Sequence, residues 1–307
     1  MRLLVTGASG LLGTVAVLDR ATSDEVVALH RAPFHVQGVT TEAVDLTDAD
    51  AVARIFEAAR PEVVLHTAAV ASIDACERDP ELAERVNVHV TGTVARLAAA
   101  GGSRLVHVST DAVFDGTGGP YREDDEPHPL SVYARTKLDS ERVALHAHPD
   151  ALVARVNFFG WSRSGTRSLA EFFRNALVRG EPVTGFADVE FASLYHRDLA
   201  DALLDASAAG VTGVRHVVSS DRSSKYDFGR AVARTFGLDE SLVRPGRLED
   251  LGGAPRSRRL SLDSSGFAAE LGRRMPTLDE GLARMRQDGE AGLAGRIHAT
   301  EQLEADA

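Results

Sequence analysis

The first half of the chain alternates short apolar runs with longer stretches in which apolar residues recur at helical spacing. This alternation is typical of a doubly wound parallel sheet, whose strands are buried on both faces and therefore read as continuous apolar runs. The pattern predicts strands over residues 2–6, 25–30, 41–45, 62–67, 104–109 and 152–156. It predicts helices over residues 11–20, 48–59, 80–100 and 131–146. The fold class is therefore α/β, with a Rossmann-type sheet.

The alternation weakens after residue 156. Helices are predicted over 166–179, 197–208 and 224–236, with short strands at 182–184, 189–191 and 214–219. We interpret residues 1–160 with 192–222 as an NAD(P)-binding Rossmann domain, and residues 161–191 with 223–290 as an interleaved substrate-binding domain. Residues 291–307 are predicted to form a polar tail, and the chain is expected to fray from about Gln287 because the end is polar and acidic.

Composition narrows the class of partner. The 307 residues carry a formal net charge of -11, which argues against nucleic-acid and membrane-surface partners and favours a small-molecule substrate. The single cysteine, Cys76, excludes an intramolecular disulfide framework and fits a reducing cytoplasmic location. No run approaches the roughly 18 apolar residues that a membrane span requires.

A glycine-rich segment stands at the first junction between a predicted strand and a predicted helix. Glycines at such a junction permit a tight turn and a close approach to a pyrophosphate, which the helix N-terminus attracts. The alternative is a tight turn without a ligand. The residues predicted to contact a dinucleotide here are Gly7, Ser9, Gly10, Leu11, Leu12 and Gly13.

The next two predicted strands end where the adenosine half of a dinucleotide would lie. The second ends with His30 and Arg31, a cationic pair that favours the 2′-phosphate of NADP(H) over NAD(H), although NAD(H) stays possible. The third ends with Asp45 and Leu46, where the carboxylate would accept the adenine amino group. The alternative role of Asp45 is to cap the helix that follows.

Small and hydroxylated side chains follow the fourth and fifth predicted strands. Ala68 and Ala69 would let the cofactor approach the backbone, and Thr110 with Asp111 would face the same crevice. Thr110 would hydrogen-bond a substrate oxygen, or else only cap the following turn. His66 is expected to be a core histidine, and the histidines show no convincing spacing for a metal site.

One of the only two lysines, Lys137, stands one helical turn after Tyr133. Residues at this spacing share a helix face, so the ammonium is expected to lower the pKa of the phenol and tune it as a proton donor. The other lysine, Lys225, has no comparable partner in the sequence.

Taken together, these segments resemble the extended short-chain dehydrogenase/reductases, and among them the dTDP-4-dehydrorhamnose reductase family. The similarity is strong to about residue 160 and weaker afterwards. It rests on the segments 6–13, 45–46, 66–69, 109–116 and 121–137, on Asn87, and on the later Arg155 and Arg259.

The resemblance implies a reductase of a nucleotide-activated 4-keto sugar, with Thr110, Tyr133 and Lys137 as the catalytic residues. Hydride would come from NADPH and the proton from Tyr133, while Lys137 would favour the tyrosinate and hold the nicotinamide ribose. Asn87 would support Lys137 through backbone and water contacts, or would only bond nearby backbone. Homodimers are common in such families, so a homodimer is possible.

The sugar nucleotide needs cations and aromatic rings from the second half of the chain. The predicted substrate contacts are Thr110, Asp111, Arg155, Asn157, Phe158, Trp161 and Arg259, with Arg163, Arg167, Arg256 and Arg258 as further candidates. A dehydratase is disfavoured because no glutamate follows Asp111. An epimerase stays open, as does a non-catalytic regulatory subunit like that of methionine adenosyltransferase, which the stretch 155–161 resembles.

Overall fold

A computed structural model describes residues 1–251 and 257–301. Its strands are β1 (Arg2–Thr6), β2 (Glu25–His30), β3 (Thr40–Ala43), β4 (Val63–His66), β5 (Arg104–Val108), β6 (Leu152–Val156), β7 (Phe158–Phe159), β8 (Val183–Phe186), β9 (Glu190–Phe191), β10 (Leu194–Tyr195), β11 (Gly213–Val217), β12 (Ser223–Ser224) and β13 (Val243–Gly246). Seven of them form a parallel sheet in the order β11-β6-β5-β4-β1-β2-β3. The predicted Rossmann-type α/β fold is confirmed.

The helices cover both faces of this sheet. They are α1 (Leu11–Arg20), α2 (Ala49–Ala59), α3 (Ile73–Arg78), α4 (Pro80–Glu84), α5 (Val90–Ala100), α6 (Val132–Ala147), α7 (Leu169–Val178), α8 (His196–Ala208), α9 (Lys225–Phe236), α10 (Ser265–Glu270), α11 (Leu278–Glu290) and α12 (Leu293–Ala299). The helix predicted over 80–100 is interrupted by a π-helical turn at Arg85–His89, which separates α4 from α5.

Three small two-stranded sheets lie beyond the main sheet. β7 pairs with β10 and β8 pairs with β13 in parallel, whereas β9 pairs with β12 antiparallel. A further bridge joins Glu190 of β9 to Arg259. These pairings gather chain segments from 183 to 260 into one region, which faces the ends of β5 and β6. The division into two domains at the predicted boundaries stays a prediction, since the largest apolar core includes residues of both halves.

The end of the chain is better packed than its composition suggests. α11 continues to Glu290, and α12 buries Leu293 and Ile297, which are at most 1% exposed. These two residues are one helical turn apart and so share the face that packs into the core. The predicted fraying from Gln287 is therefore wrong as far as Thr300, which is also buried. Residues 302–307 of the predicted tail lie outside the described residues.

Candidate active site

The glycine turn after β1 has a shape that lets a ligand approach its backbone closely. Gly7 has φ of 67°, and a Cβ there would stand 2.8 Å from the backbone of Ala68. A Cβ on Gly13 would stand 2.3 Å from the carbonyl oxygen of Gly7. Gly10 precedes α1 without a side-chain cap, so no side chain covers the helix N-terminus where a pyrophosphate would bind. The turn fits a dinucleotide.

The adenosine end is built from the residues after β2 and β3. His30 is nearly buried and its Nδ1 lies 2.8 Å from the carbonyl oxygen of Ala32, whereas Arg31 is exposed. The backbone N–H and hydroxyl of Thr47 bind Asp45 and, with the Arg31 charge, lower the pKa of its carboxyl.

The helix cap predicted as the alternative for Asp45 is supplied instead by Asp48, which accepts the N–H of Ala51. Leu46 packs against the apolar cluster beneath α2 and α5. Arg31 and Asp45 thus stay available for the adenosine half of a cofactor.

Tyr133 and Lys137 share the face of α6 that points into the molecule. α6 begins after Ser131, whose hydroxyl accepts the N–H of Ala134, so the helix places Tyr133 in its first turn. The Lys137 ammonium is 2% exposed and donates to the carbonyl oxygen of Val108 at 2.8 Å. The Thr110 hydroxyl is near enough to the Tyr133 phenol to lower the pKa of that phenol. The three predicted catalytic residues are therefore gathered at the end of β5.

The predicted tuning of Tyr133 by Lys137 is wrong. Burial raises the pKa of Tyr133 to about 12; the Thr110 hydroxyl lowers the pKa by a smaller amount than burial raises it, and the charges of Asp111 and Cys76 raise it by less again. Burial also lowers the pKa of Lys137 to about 8. Removal from water penalises the charged form of both groups, and this penalty outweighs the attraction that was expected between them from their spacing along the helix. Tyr133 therefore holds its proton firmly at neutral pH.

Asp111 continues the polar chain from Thr110. The Thr110 hydroxyl donates to Oδ1 of Asp111 at 3.0 Å, and the amide of Asn157 donates to Oδ2 at 2.7 Å. Burial nevertheless dominates and raises the pKa of Asp111 to about 6, although both hydrogen bonds and the charge of Lys225 lower it. The carboxyl can thus carry a proton near neutral pH.

Asn87 lies in the π-helical turn and is fully buried. Its amide oxygen accepts the N–H of Val70, and its amide nitrogen donates to the carbonyl oxygen of Val70 and to the Thr136 hydroxyl. These bonds tie the loop after β4 to α6. The Asn87 side chain therefore bonds backbone, which was the alternative to a role in supporting Lys137. It supports the helix that carries Lys137 and makes no direct hydrogen bond to the Lys137 ammonium.

A buried ion pair between Arg155 and Glu141 lies behind the catalytic residues. Arg155 of β6 binds both carboxylate oxygens of Glu141, and the Ser109 hydroxyl donates to the same carboxylate. Both charged side chains are at most 5% exposed. The prediction that Arg155 contacts substrate is wrong, because its guanidinium is committed to Glu141 behind the catalytic residues. His66 is a core histidine as predicted, bonded to Thr6 and Thr91.

A cavity of about 270 Å³ opens beside Asp111. One side contains Asp111, Ala112, Leu130, Ser131, Ala134 and Asn157, and we call it the catalytic wall because most of its residues adjoin Thr110 or Tyr133 along the chain. The other side, the opposite wall, contains Leu169, Val189, Glu190, Phe191, Lys225, Ser257 and Leu260. Backbone hydrogen bonds from Lys225 to Val189 and from Leu260 to Glu190 hold the opposite wall together.

Lys225, the second of the two lysines, lines the same cavity as Asp111. Its charge lowers the pKa of that carboxyl. Scarcity is the only signal of Lys225 in the sequence, because Lys225 and Asp111 are far apart along the chain. Glu190 gave no signal at all.

Several predicted substrate contacts lie elsewhere. Trp161 is buried in the core, where its indole donates to the carbonyl oxygen of Met285 and packs against Phe236, so its predicted role is wrong. Phe158 is half-buried in β7 and is not among the residues lining the cavity.

The arginines predicted to contact the substrate also differ in where they lie. Arg163 donates to Pro33 and Thr300 and ties the chain end to the first half. Arg258 lies near Asp188. Arg259 is exposed next to the opposite wall and stays a prediction, as does the exposed Arg167. Arg256 lies outside the described residues.

Within residues 1–251 and 257–301, no group of His, Cys, Asp and Glu side chains is arranged to hold a metal ion. No helix in the same part of the chain has the length and apolar character needed to cross a membrane.

Comparison with known proteins gives a consistent picture. Residues 1–290 match the model of the RmlD substrate binding domain. Over 291 residues the chain is 34% identical to a probable low-salt glycan biosynthesis reductase of Haloferax volcanii, covering 93% of this chain and 97% of that protein. It is 35% identical over 247 residues to a dTDP-4-dehydrorhamnose reductase of Mycolicibacterium smegmatis, covering 80% of this chain and 72% of the relative.

A relative with a different described role is also similar. Methionine adenosyltransferase 2 subunit beta of Xenopus laevis is 33% identical over 278 residues, covering 86% of this chain and 80% of the relative. Among solved structures, a dTDP-4-dehydrorhamnose reductase of Bacillus anthracis in complex with NADP superposes with a TM-score of 0.83. It covers 93% of this chain and 98% of that one at 22% identity, which establishes the shared fold.

Proposed function

The chain belongs to the family of the RmlD substrate binding domain, and we propose that it is an NADP(H)-dependent reductase of a nucleotide-activated 4-keto sugar. The observation that carries the proposal is the grouping of Tyr133 and Lys137 on one face of α6 with Thr110 at the end of β5, beside a cavity lined by Asp111 and Asn157. A phenol that holds its proton until a stronger base forms next to it is suited to protonate an alkoxide.

The catalytic side chains have separate tasks in this reaction. NADPH, when bound, would supply the hydride that reduces the ketone carbon. The Thr110 hydroxyl orients the ketone oxygen, and the Tyr133 phenol gives its proton to the alkoxide as charge develops there. The Lys137 ammonium, fixed by the carbonyl of Val108, places a positive charge on the same face of α6. Positioned proton transfer of this kind is worth about 10²–10⁴ in rate.

The choice of NADP(H) is supported by the residues after β2. Arg31 is exposed at the point where the adenosine ribose would lie, and a guanidinium can bind a 2′-phosphate with two parallel hydrogen bonds. The similar structure from Bacillus anthracis contains NADP. Binding of NAD(H) stays possible, and comparing turnover with NADPH and NADH tests the preference.

The 4-keto sugar is supported by the lining of the cavity. Two carboxylates, one amide and two hydroxyls alternate there with apolar side chains, which suits a ring carrying several hydroxyl groups. The nucleotide-sugar class of the proposed substrate is supported by the relative that is named dTDP-4-dehydrorhamnose reductase. We propose dTDP-4-dehydrorhamnose as the first substrate to assay.

A second candidate function is a non-catalytic subunit, favoured by the similarity to methionine adenosyltransferase 2 subunit beta. The intact set of Thr110, Tyr133 and Lys137 argues for catalysis. An epimerase would use the same residues without net consumption of NADPH. Both alternatives predict no stoichiometric loss of NADPH.

The test is NADPH oxidation with dTDP-4-dehydrorhamnose, comparing the wild type with Tyr133→Phe. We expect the variant to lose about 10²–10⁴-fold in kcat, because the proton donor is gone, while NADPH affinity stays within a few-fold. Thr117→Val, an exposed hydroxyl outside the cavity, is the matched control and should retain activity. Equal turnover by wild type and Tyr133→Phe would contradict the proposal.

A further inference from the structure

Polar groups connect Tyr133 to the cavity without passing through Lys137. The Thr110 hydroxyl donates to Oδ1 of Asp111 at 3.0 Å, and it is near enough to the Tyr133 phenol to lower the pKa of that phenol. Asp111 itself lines the cavity. The Lys137 ammonium, by contrast, is bonded to the carbonyl of Val108 at the end of β5. A proton can therefore travel between the cavity and the phenol through a single intervening hydroxyl.

We propose that Asp111 returns a proton to Tyr133 after each reduction, with the Thr110 hydroxyl as the relay; this inference rests on the proposed reductase function. Asp111 would thus be a proton-transfer residue as well as a substrate contact.

The reduction and the return of the proton to Tyr133 occur in sequence. The hydride reduces the ketone carbon, and the O–H bond of Tyr133 breaks as its proton joins the alkoxide. The tyrosinate then takes the proton of the Thr110 hydroxyl, while that oxygen takes the proton of the Asp111 carboxyl. The site is left with a phenol, a hydroxyl and a carboxylate, and Asp111 regains a proton from water in the cavity. One solvent proton is consumed for each ketone reduced.

The surroundings of Asp111 suit a group that gains and loses a proton. The side chain is 3% exposed, which favours the acid, whereas the Asn157 amide, the Thr110 hydroxyl and the Lys225 ammonium favour the carboxylate. The opposing influences leave its pKa at about 6, far below that of Tyr133. Glu190 is the other carboxylate that lines this cavity, but it accepts the Ser261 hydroxyl and pairs with Arg222.

The kinetic test is the pH dependence of kcat with NADPH and dTDP-4-dehydrorhamnose. In the wild type, kcat should be high below the pKa of Asp111 and fall as pH rises through about 6 or above, because the carboxyl is then ionised. Asp111→Asn should lower kcat by about 10²-fold at the acid end, with the difference shrinking as pH rises. Glu190→Gln is the matched control and should keep the inflection.

A second readout needs neither substrate nor cofactor. The Tyr133 phenol is isolated by the difference between two ultraviolet titrations, one of the Asp111→Asn variant and one of the double variant Asp111→Asn/Tyr133→Phe. Because Asp111→Asn removes the neighbouring charge, the pKa of Tyr133 should fall by about one unit relative to the wild type. An unchanged Tyr133 titration overturns the inference even if the protein proves not to be a reductase. A uniform loss of kcat with the wild-type pH profile also overturns it, because Asp111 would then act only in positioning.

Should Asp111→Asn fail to fold, infrared spectroscopy of the Glu190→Gln protein replaces it. A protonated buried carboxyl gives a carbonyl stretching band that disappears as the group ionises. The band should be present below about pH 6 and lost above it. Its absence at every pH would overturn the inference.

Discussion

The two walls of the cavity differ in how firmly their side chains are held. On the catalytic wall, Thr110 and Asp111 are 7% and 3% exposed, and each is fixed by hydrogen bonds to neighbouring side chains. On the opposite wall, Leu169, Glu190 and Lys225 are half-buried. Leu169 and Lys225 are the first residues of α7 and α9, and Glu190 lies in the two-residue strand β9.

This difference separates chemistry from selectivity. Proton transfer requires donor and acceptor within hydrogen-bonding distance, so the reacting groups need a rigid and desolvated support. The opposite wall is built from helix ends, a short strand and loops, which can change their side chains without disturbing that support. We therefore expect substitutions on the catalytic wall to affect stability and kcat, and those on the opposite wall to affect KM.

The largest effect of this kind should come from Glu141→Ala. The substitution leaves the Arg155 guanidinium buried without its carboxylate, which typically costs about 3–5 kcal/mol in the free energy of unfolding. Asp139→Ala on the same helix removes an exposed ion pair with Arg142 and should cost less than about 1 kcal/mol. Chemical denaturation of both variants measures the difference. Equal losses would show that the support behind the catalytic wall is no more rigid than the helix surface.

A smaller effect is expected from Lys225→Met on the opposite wall. Loss of one charge-assisted contact should raise KM for the sugar nucleotide about tenfold, while the free energy of unfolding changes little. The missing cation also lets the pKa of Asp111 rise, so the fall of kcat should move to higher pH. Lys225→Arg should restore part of the affinity. Steady-state kinetics across pH would contradict the comparison if only kcat changed and KM stayed the same.

The catalytic wall could largely be predicted from the sequence because its signals are local. The glycine turn, the strand end at Thr110 and the helical spacing of Tyr133 and Lys137 each lie within a few residues. The direction of the Tyr133 pKa shift could not be predicted, since burial depends on the tertiary structure and outweighs the nearby lysine.

Residues whose role depends on distant partners were assigned wrongly. Arg155 has the right type for a phosphate ligand, but its partner Glu141 comes from another element and turns it into internal support. Trp161 was predicted to face substrate, and only the packing of Phe236 and α11 reveals it as core. Lys225 has no comparable neighbour along the sequence, and its charge lowers the pKa of Asp111 only once folding brings both residues to one cavity.

The central claim is that the site transfers hydride from NADPH to a sugar ketone. The direct test uses NADPH carrying deuterium at the transferred position of the nicotinamide ring, with dTDP-4-dehydrorhamnose, and analyses the product by mass spectrometry. One deuterium should appear on the sugar for each NADPH oxidised, and Tyr133→Phe should form that product about 10²–10⁴-fold more slowly. A protein that binds both NADPH and the sugar nucleotide yet places no deuterium in the sugar would contradict the account.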